Sequence, residues 1–253
     1  EAYQNLLSSK TKLVSVVHTS NALGTINPVK EITQLAKSVN AYVLIDGAQA
    51  APHQKIDVQE IGCDFYVFSG HKIFGPTGIG ALYGKREILE AMPPYQGGGE
   101  MIKTVTFEKT TYNELPFKFE AGTPNIADVM GFAVAMDYMN SVGYEIIQAQ
   151  ENALLKYATD QLKQNFENVR IIGEADNKAS VISFLLGNAH PYDVGALLDK
   201  MGIAVRTGHH CTEPLMNRLN IPGTVRASFA FYNTFEEIDL MINALKRAEK
   251  MLM

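Results

Sequence analysis

The chain has 253 residues, of which 46% are hydrophobic and 19% charged, and its formal net charge is −5 at pH 7. This composition is typical of a globular protein with a buried core. The mild negative charge and the lack of Lys/Arg blocks argue against nucleic acid or an anionic membrane surface as a partner. The longest apolar runs, such as AYVLI at 41–45, are far shorter than the roughly 18 residues that indicate a membrane-spanning helix.

The two cysteines, Cys63 and Cys211, are far apart and form no CxxC pair. This spacing argues against a disulfide framework and against a zinc ribbon. We therefore expect a reducing compartment, the cytoplasm.

The first third of the chain predicts short strands that alternate with a helix. The run LVSVVH at 13–18 is rich in β-branched residues, and Pro28 opens a segment with helical apolar spacing to about Val39. Three further apolar runs are predicted to be strands: AYVLID at 41–46, CDFYVFSG at 63–70 and GIGALYG at 78–84. Strands of this kind that end in polar residues or Gly favour an α/β fold with a mostly parallel sheet flanked by helices.

The middle of the chain predicts a change of organisation. Residues 92–124 are rich in Pro, Gly and Thr, and we predict a long functional loop there. A helix is predicted at about 126–141, and Gly143 separates it from a longer amphipathic helix to about 168. We place a domain boundary near residue 140, so that 1–140 belongs to a larger domain and 141–253 forms a smaller C-terminal α/β domain.

In the last third the alternation starts again. The predicted strands are VRIIG at 169–173, ASVISFLL at 179–186, IAVRTG at 203–208 and TVRASFAF at 224–231. Helices are predicted at about 192–201 and from about 236 to the end. The polar loop HHCTEP at 209–214 follows the third of these strands.

Polar side chains follow two predicted strand ends in the first third. Asp46 and Gln49 come after one strand, and Ser69, His71 and Lys72 come after the next. In sheets of this kind, ligands bind at the carboxyl ends of the strands. Pyridoxal phosphate (PLP) needs a lysine for a Schiff base, an acid beside its pyridine nitrogen, and small or hydroxyl residues for its phosphate. Lys72, Asp46 and the pair formed by Ser69 and His71 could supply these groups.

Six ordered motifs also carry a resemblance to a known family. They are HTSNALGTINP, VLIDGAQA, DFYVFSGHKIFGPTGIGALYG, GGGEMI, FEAGTPN and RTGHHCTEPLM. Together they resemble the group II (SufS-type) cysteine desulfurases and selenocysteine lyases of the class V aminotransferase family, which are PLP enzymes of fold type I. The resemblance runs from about Leu13 to the C-terminus. The RxGHHC form is similar to the SufS branch rather than to the NifS/IscS branch.

The resemblance implies a cofactor role for each matching residue. Lys72 would form the Schiff base with PLP, Asp46 would pair with the pyridinium, and Gln49 would hydrogen-bond the phenolic oxygen. The larger domain, 1–140, would then be part of the PLP-binding domain. The remaining residues would hold the phosphate: Ser69, His71 and, from the second subunit of a homodimer, Thr123.

The resemblance also implies a substrate site and a nucleophile in the smaller domain. Asn21, Arg206 and Arg226 would receive the carboxylate of L-cysteine, for which the arginine fork is suited. Cys211 would attack the substrate's sulfur, giving alanine and a persulfide that passes to an acceptor protein for iron–sulfur cluster assembly. Positive charge from Arg206 or from either histidine before Cys211, once protonated, would favour the thiolate.

Members of this family carry roughly 150 further residues before the position where this chain starts, about one domain's worth of sequence. Those residues include a histidine that stacks on the PLP ring. The chain therefore resembles the C-terminal part of a desulfurase, without the N-terminal segment. A selenocysteine lyase and a truncated fragment that cannot hold PLP are the alternatives.

Less specific interpretations exist for the same residues. Lys72 alone would be a solvated loop lysine, the Asp46-Gly pair a common turn, and Cys211 an inert apolar residue. We expect no metal site at His209, His210 and Cys211, because consecutive residues of an extended backbone point in opposite directions. GPTGIG and GGG lack the strand–GxGxxG–helix setting of a dinucleotide site. A kynureninase-like hydrolase would not require Cys211.

Overall fold

The structure is a computed structural model, and it describes residues 1–252. The chain divides into two compact units. The first comprises Glu1–His18, Pro28–Pro52 and Ile56–Ser141, and the second comprises Thr19–Asn27, His53–Lys55 and the chain from Val142 onward. Two short early segments, 19–27 and 53–55, thus belong to the second unit, which a single boundary near residue 140 does not provide for. The assignment of 1–140 and 141–253 to a cofactor domain and a cysteine-bearing domain stays a prediction.

The first unit contains a four-stranded sheet. Its strands, in spatial order, are β1 (Leu13–Val17), β2 (Tyr42–Asp46), β3 (Phe65–Ser69) and β4 (Gly80–Gly84). The first three are parallel and β4 runs antiparallel to β3. The helices of this unit are α1 (Ala2–Leu6), α2 (Val29–Lys37), α3 (Val58–Ile61), α4 (Arg86–Ala91) and α5 (Ile126–Val142). The predicted α/β class, with a mostly parallel sheet flanked by helices, is confirmed.

The core of the first unit lies between α2 and the sheet. Val29 and Ala36 of α2 pack with Val43 and Ile45 of β2 and with Cys63, and all five are buried. Asp64 is buried at the start of β3, where its carboxylate pairs with Lys37 and Lys85 and accepts a hydrogen bond from the Val43 amide. This paired carboxylate fixes the amino end of β3.

The prediction of a long loop at 92–124 was wrong in part. The segment contains a hairpin of β5 (Ile102–Val105) and β6 (Thr110–Tyr112), followed by a one-turn 3-10 helix at Phe117–Phe119. Thr106 forms the hairpin turn, because its hydroxyl accepts hydrogen bonds from the amides of Glu108 and Lys109. Threonine is β-branched, which favours extended backbone.

The second unit contains an antiparallel sheet covered by helices. Its strands, in spatial order, are β7 (Val169–Ile172), β8 (Val181–Leu186), β10 (Thr224–Ser228) and β9 (Arg206–Gly208). Its helices are α6 (Tyr144–Asn165), α7 (Pro191–Lys200), α8 (Glu213–Leu219) and α9 (Phe235–Leu252). Leu154, Ala158 and Leu162 of α6 are fully buried against this sheet, as their helical spacing predicts. Among the helices of residues 1–252, none combines the length and apolar character that a membrane crossing requires.

Candidate cofactor and substrate sites

A cavity of about 510 Å³ opens at the carboxyl ends of β2 and β3. Asp46, Ser69 and His71 line it, together with the backbone turn at Gly78–Gly80 that leads into β4. Gly80 is required there, because a Cβ at this position would lie 2.6 Å from the carbonyl oxygen of Phe68. Asp46 therefore meets two of the three polar residues after the next strand, Ser69 and His71, at one cavity.

Asp46 is the last residue of β2 and its carboxylate is held by the turn that follows. Oδ1 accepts a hydrogen bond from the Ala48 amide at 2.9 Å, and the main-chain oxygen accepts one from the His18 amide at 2.8 Å. Within residues 1–252, Oδ2 has no hydrogen-bond partner. One carboxylate oxygen is thus available to a ligand.

Ser69 is the last residue of β3, and His71 and Lys72 lie in the 3-10 turn, Gly70–Ile73, that directly continues this strand. The Ser69 hydroxyl and His71 Nδ1 are 2.8 Å apart and form a hydrogen bond. Lys72 is half-buried in the same turn and does not line the cavity. In the described part of the chain, its ammonium has no hydrogen bond and no ion pair.

Two further cofactor candidates lie apart from this cavity. Gln49 is half-buried in the turn after β2, and Thr123 is exposed in the loop before α5. Neither residue lines the cavity. The cavity itself offers an acid, a hydroxyl and an imidazole, next to the lysine whose ammonium has no partner among the described residues 1–252. This donor set fits the pyridine nitrogen, phosphate and aldehyde of PLP.

In the second unit, Asn21 connects Arg226 with the loop that carries Cys211. Its Nδ2 donates to the main-chain oxygen of His210 at 2.6 Å, next to Cys211. Its own main-chain oxygen accepts a hydrogen bond from Nη1 of Arg226 at 2.8 Å. Asn21 is therefore fixed between β10 and the loop of the cysteine.

Arg206 and Arg226 lie directly opposite each other on β9 and β10. Arg226 is half-buried, and its buried Nε has no hydrogen-bond partner among residues 1–252. Burial, followed by the neighbouring charge of Arg206, lowers the pKa of Arg226. Two facing guanidinium groups repel each other, and a buried N–H donor without a partner costs free energy. A bound anion such as a carboxylate would relieve both costs.

Cys211 is exposed, and its sulfur is in contact with the guanidinium of Arg206. The distance from Arg206 Nη2 to Cys211 Sγ is 3.8 Å. His210 and Cys211 have φ angles of 54° and 62°, in the left-handed region. The backbone is therefore not extended at these two residues, and the prediction of an extended backbone there was wrong. Across residues 1–252, no group of three or more His, Cys, Asp or Glu side chains is arranged to hold a metal ion.

His210 cannot supply the positive charge that we expected from it. It is 2% exposed and its Nε2 lies 2.9 Å from the Thr224 hydroxyl. Burial, with the nearby charge of Arg226, lowers the pKa of His210 to about 4. The residue is therefore neutral at pH 7, and it serves to fix the loop to β10.

Sequence reasoning missed His18 and Tyr66. Both are buried in the first unit, and His18 Nδ1 lies 3.0 Å from the Tyr66 hydroxyl. Burial lowers the pKa of His18 to about 4 and raises that of Tyr66. The available signal was that His18, like Asp46, is a polar residue at the carboxyl end of a strand.

Comparison with known proteins gives consistent similarities. The family model described as aminotransferase class-V matches residues 1–241. The probable cysteine desulfurase of Mycolicibacterium paratuberculosis is 55% identical over 245 residues, which are 97% of this chain and 36% of that protein. The cysteine desulfurase of Serratia proteamaculans is 52% identical over 248 residues, which are 98% of this chain and 61% of that protein.

Solved structures are similar as well. The crystal structure of the Escherichia coli cysteine desulfurase CsdA, in an S-sulfonic acid form, matches with a TM-score of 0.93 and 39% identity, over 98% of this chain and 62% of that one. The apo cysteine desulfurase of Thermococcus onnurineus matches with a TM-score of 0.91 and 41% identity, over 95% of this chain and 60% of that one. The chain thus spans 36% to 61% of these two curated relatives. That the matching part is their C-terminal part stays a prediction.

Proposed function

We propose, since the chain belongs to the aminotransferase class-V family, that the protein acts as a PLP-dependent cysteine desulfurase. It would convert L-cysteine to L-alanine and leave the sulfur as a persulfide on Cys211. The observation that carries the proposal is the cavity where Asp46, Ser69 and His71 meet, at the turn that holds Lys72. Relatives named cysteine desulfurase, at 52% and 55% identity, support it.

The polar residues at and beside the cavity would each contact a different group of PLP. Lys72 would bind the aldehyde through its side-chain amine as a Schiff base, since within residues 1–252 no hydrogen bond or ion pair engages this group. Asp46 holds a proton at the ring nitrogen through its available Oδ2. Ser69 and His71 bind the phosphate. When bound, PLP supplies an electron sink for the substrate's carbon atoms. Two further contacts complete the proposed cofactor site: Gln49, to the phenolic oxygen, and Thr123, from the second subunit of a homodimer.

The substrate and sulfur steps belong to the second unit. Arg206 and Arg226 bind the substrate carboxylate, and Asn21 holds Arg226 in place through its main-chain oxygen. The Cys211 thiolate attacks the substrate's sulfur. The new S–S bond forms as the C–S bond of the substrate breaks, and the electron pair of that bond stays on the carbon, which takes up a proton to give alanine. The guanidinium of Arg206, 3.8 Å from Sγ, favours the thiolate.

The wider setting of the activity is also part of the proposal. The persulfide sulfur would pass to an acceptor protein for iron–sulfur cluster assembly. The cytoplasm fits, because both cysteines are free thiols. Selenocysteine is a second candidate substrate, since a selenocysteine lyase would use the same carboxylate and cofactor residues.

The cofactor proposal is tested by titrating the chain with PLP. We expect a visible absorption band, and borohydride reduction should attach the cofactor to the peptide that contains Lys72. Lys72→Arg should abolish this attachment. Lys103→Arg, at an exposed lysine of the hairpin, is the matched control and should leave it intact. A folded chain that gives no band with PLP would refute a PLP-dependent function for this chain.

The sulfur chemistry is tested by measuring alanine release. With L-cysteine, Cys211→Ala should lose alanine release, whereas Cys63→Ala, at the buried cysteine, should retain it. With selenocysteine, release that survives in Cys211→Ala would add lyase activity to the assignment. Equal release from cysteine by both variants would refute Cys211 as the sulfur acceptor.

A further inference from the structure

The turn that follows Asp46 rests on the buried pair His18 and Tyr66. His18 is 8% exposed and Tyr66 is 2% exposed. Besides their hydrogen bond of 3.0 Å, the two rings meet edge to face, with centroids 6.1 Å apart and an interplanar angle of 86°. Because burial lowers the pKa of His18 and raises that of Tyr66, both side chains are uncharged at pH 7. The pair therefore acts through shape and one hydrogen bond, not through charge.

Both residues reach the turn directly. The His18 amide donates to the main-chain oxygen of Asp46 at 2.8 Å, which joins the end of β1 to the end of β2. The ring of Tyr66 lies against the backbone of Gly47. A Cβ at Gly47 would lie 2.0 Å from Cε1 and 2.2 Å from the hydroxyl oxygen of Tyr66. Only glycine allows the turn to approach the ring this closely.

The backbone turn at Gly47 and Ala48 also holds the carboxylate of Asp46 in place. The Gly47 amide donates to the oxygen of Val67 on β3, and the Gly47 oxygen accepts from the amides of Ala50 and Ala51. The Ala48 amide donates to Oδ1 of Asp46. A displacement of the Gly47 backbone would therefore move the donor that orients the carboxylate.

We propose that Tyr66 and His18 are positioning residues for Asp46. The ring of Tyr66 sets the path of the backbone at Gly47, and the hydrogen bond between His18 Nδ1 and the Tyr66 hydroxyl fixes the hydroxyl end of that ring. Together they keep the Asp46 carboxylate in the wall of the cavity. The inference rests on the proposed function in one respect, namely that Asp46 serves PLP.

The test compares Tyr66→Phe with Tyr83→Phe by amide hydrogen exchange in the full chain without PLP. Tyr83 is the register partner of Tyr66 on β4 and is half-buried, and within residues 1–252 its hydroxyl makes no hydrogen bond. Tyr66→Phe removes a buried hydrogen bond, so local opening of the turn should increase and the amides of Gly47 and Ala48 should exchange about tenfold faster. The Ile45 amide, inside β2, should keep its rate. Tyr83→Phe should change neither.

Two exchange results would overturn the proposal. Equal acceleration at Ile45 and in the turn would show that Tyr66 only stabilises the sheet, and unchanged exchange in the turn would show that it does not support Asp46. His18→Phe, which keeps a ring but cannot bond to the Tyr66 hydroxyl, should reproduce the local effect. It serves as the second variant if Tyr66→Phe does not fold.

A PLP titration of the same variants separates this inference from the proposed function. PLP should bind several-fold more weakly to Tyr66→Phe than to the unmodified chain, and equally well to Tyr83→Phe. If the unmodified chain binds no PLP, the proposed function fails and the exchange data still decide the positioning role. If PLP binds to Tyr66→Phe as it does to the unmodified chain, the positioning role fails and the proposed function stands.

Discussion

Acid should destabilise the chain through His210. In the folded chain this imidazole is buried and its pKa is lowered to about 4, whereas an unfolded chain leaves it at the ordinary value of about 6.5. The unfolded chain therefore binds a proton more readily between these two values. Stability from the neutral imidazole is fully present above about pH 6.5 and is lost as the pH falls toward 4.

The size of the effect follows from the two pKa values. One pKa unit corresponds to about 1.4 kcal/mol, so lowering the pH from 7 to 4.5 should reduce the free energy of unfolding by about 2.5 kcal/mol through His210. His18, with a pKa also lowered to about 4, should add a similar loss in the first unit. Losses of this size are a large fraction of the stability of a typical domain.

Urea unfolding followed by circular dichroism at pH 7 and pH 4.5 measures the loss in the free energy of unfolding. The NMR chemical shifts of the histidine ring carbons report the titration directly. His210→Gln keeps a partner for the Thr224 hydroxyl but does not titrate, so it should lose about 2.5 kcal/mol less than the unmodified chain between the two pH values. His209→Gln, at the exposed neighbour, should behave as the unmodified chain. A His210 ring that titrates near pH 6.5, or equal acid losses in His210→Gln and the unmodified chain, would show that the buried imidazole is not the source of the acid sensitivity.

Three further substitutions test other contacts. Asp64→Asn should lower the free energy of unfolding by about 2 to 4 kcal/mol in urea titrations, because it leaves two lysines without their buried carboxylate. An unchanged free energy of unfolding would show that the ion pairs of Asp64 with Lys37 and Lys85 do not stabilise the fold. Arg206→Gln should slow alkylation of Cys211 by iodoacetamide about twofold to fivefold at pH 7, the size expected for an exposed charge contact. An unchanged rate would mean that the guanidinium does not favour the thiolate. Gly47→Ala should lower the melting temperature strongly, because the new methyl group would overlap the ring of Tyr66. A melting temperature equal to that of the unmodified chain would contradict the close approach.

Much of the fold follows from local sequence patterns. The β-branched runs at 13–18 and 41–46 form β1 and β2, and the helical spacing after Gly143 forms α6. The short helices α4 and α8, of six and seven residues, were not predicted, since fewer than two full turns give little periodicity. The strand predicted at 203–208 forms a ladder only at Arg206–Gly208, because it lies at the sheet edge and has a partner on one side alone.

The candidate site was only partly accessible from the sequence. That Asp46 and Ser69 lie at the same cavity could be predicted, because the carboxyl ends of neighbouring parallel strands meet at one edge of the sheet. That Arg206 faces Arg226 depends on an antiparallel register which no local pattern specifies. The burial of His210 was missed for the same reason. A histidine in a polar loop gives no local sign that it packs against Thr224.

Arg206 lies where two parts of the proposed chemistry meet, namely the binding of the substrate's carboxylate and the reaction of Cys211. The same guanidinium faces Arg226, where an anion would relieve the repulsion, and contacts the sulfur of Cys211. An arginine can serve both neighbours because its planar group carries five N–H donors in a fixed geometry. A lysine would offer one compact charge and would have to favour either the carboxylate or the thiolate. An arginine at this position can therefore serve both the proposed binding of the substrate's carboxylate and the proposed attack of Cys211 on the substrate's sulfur.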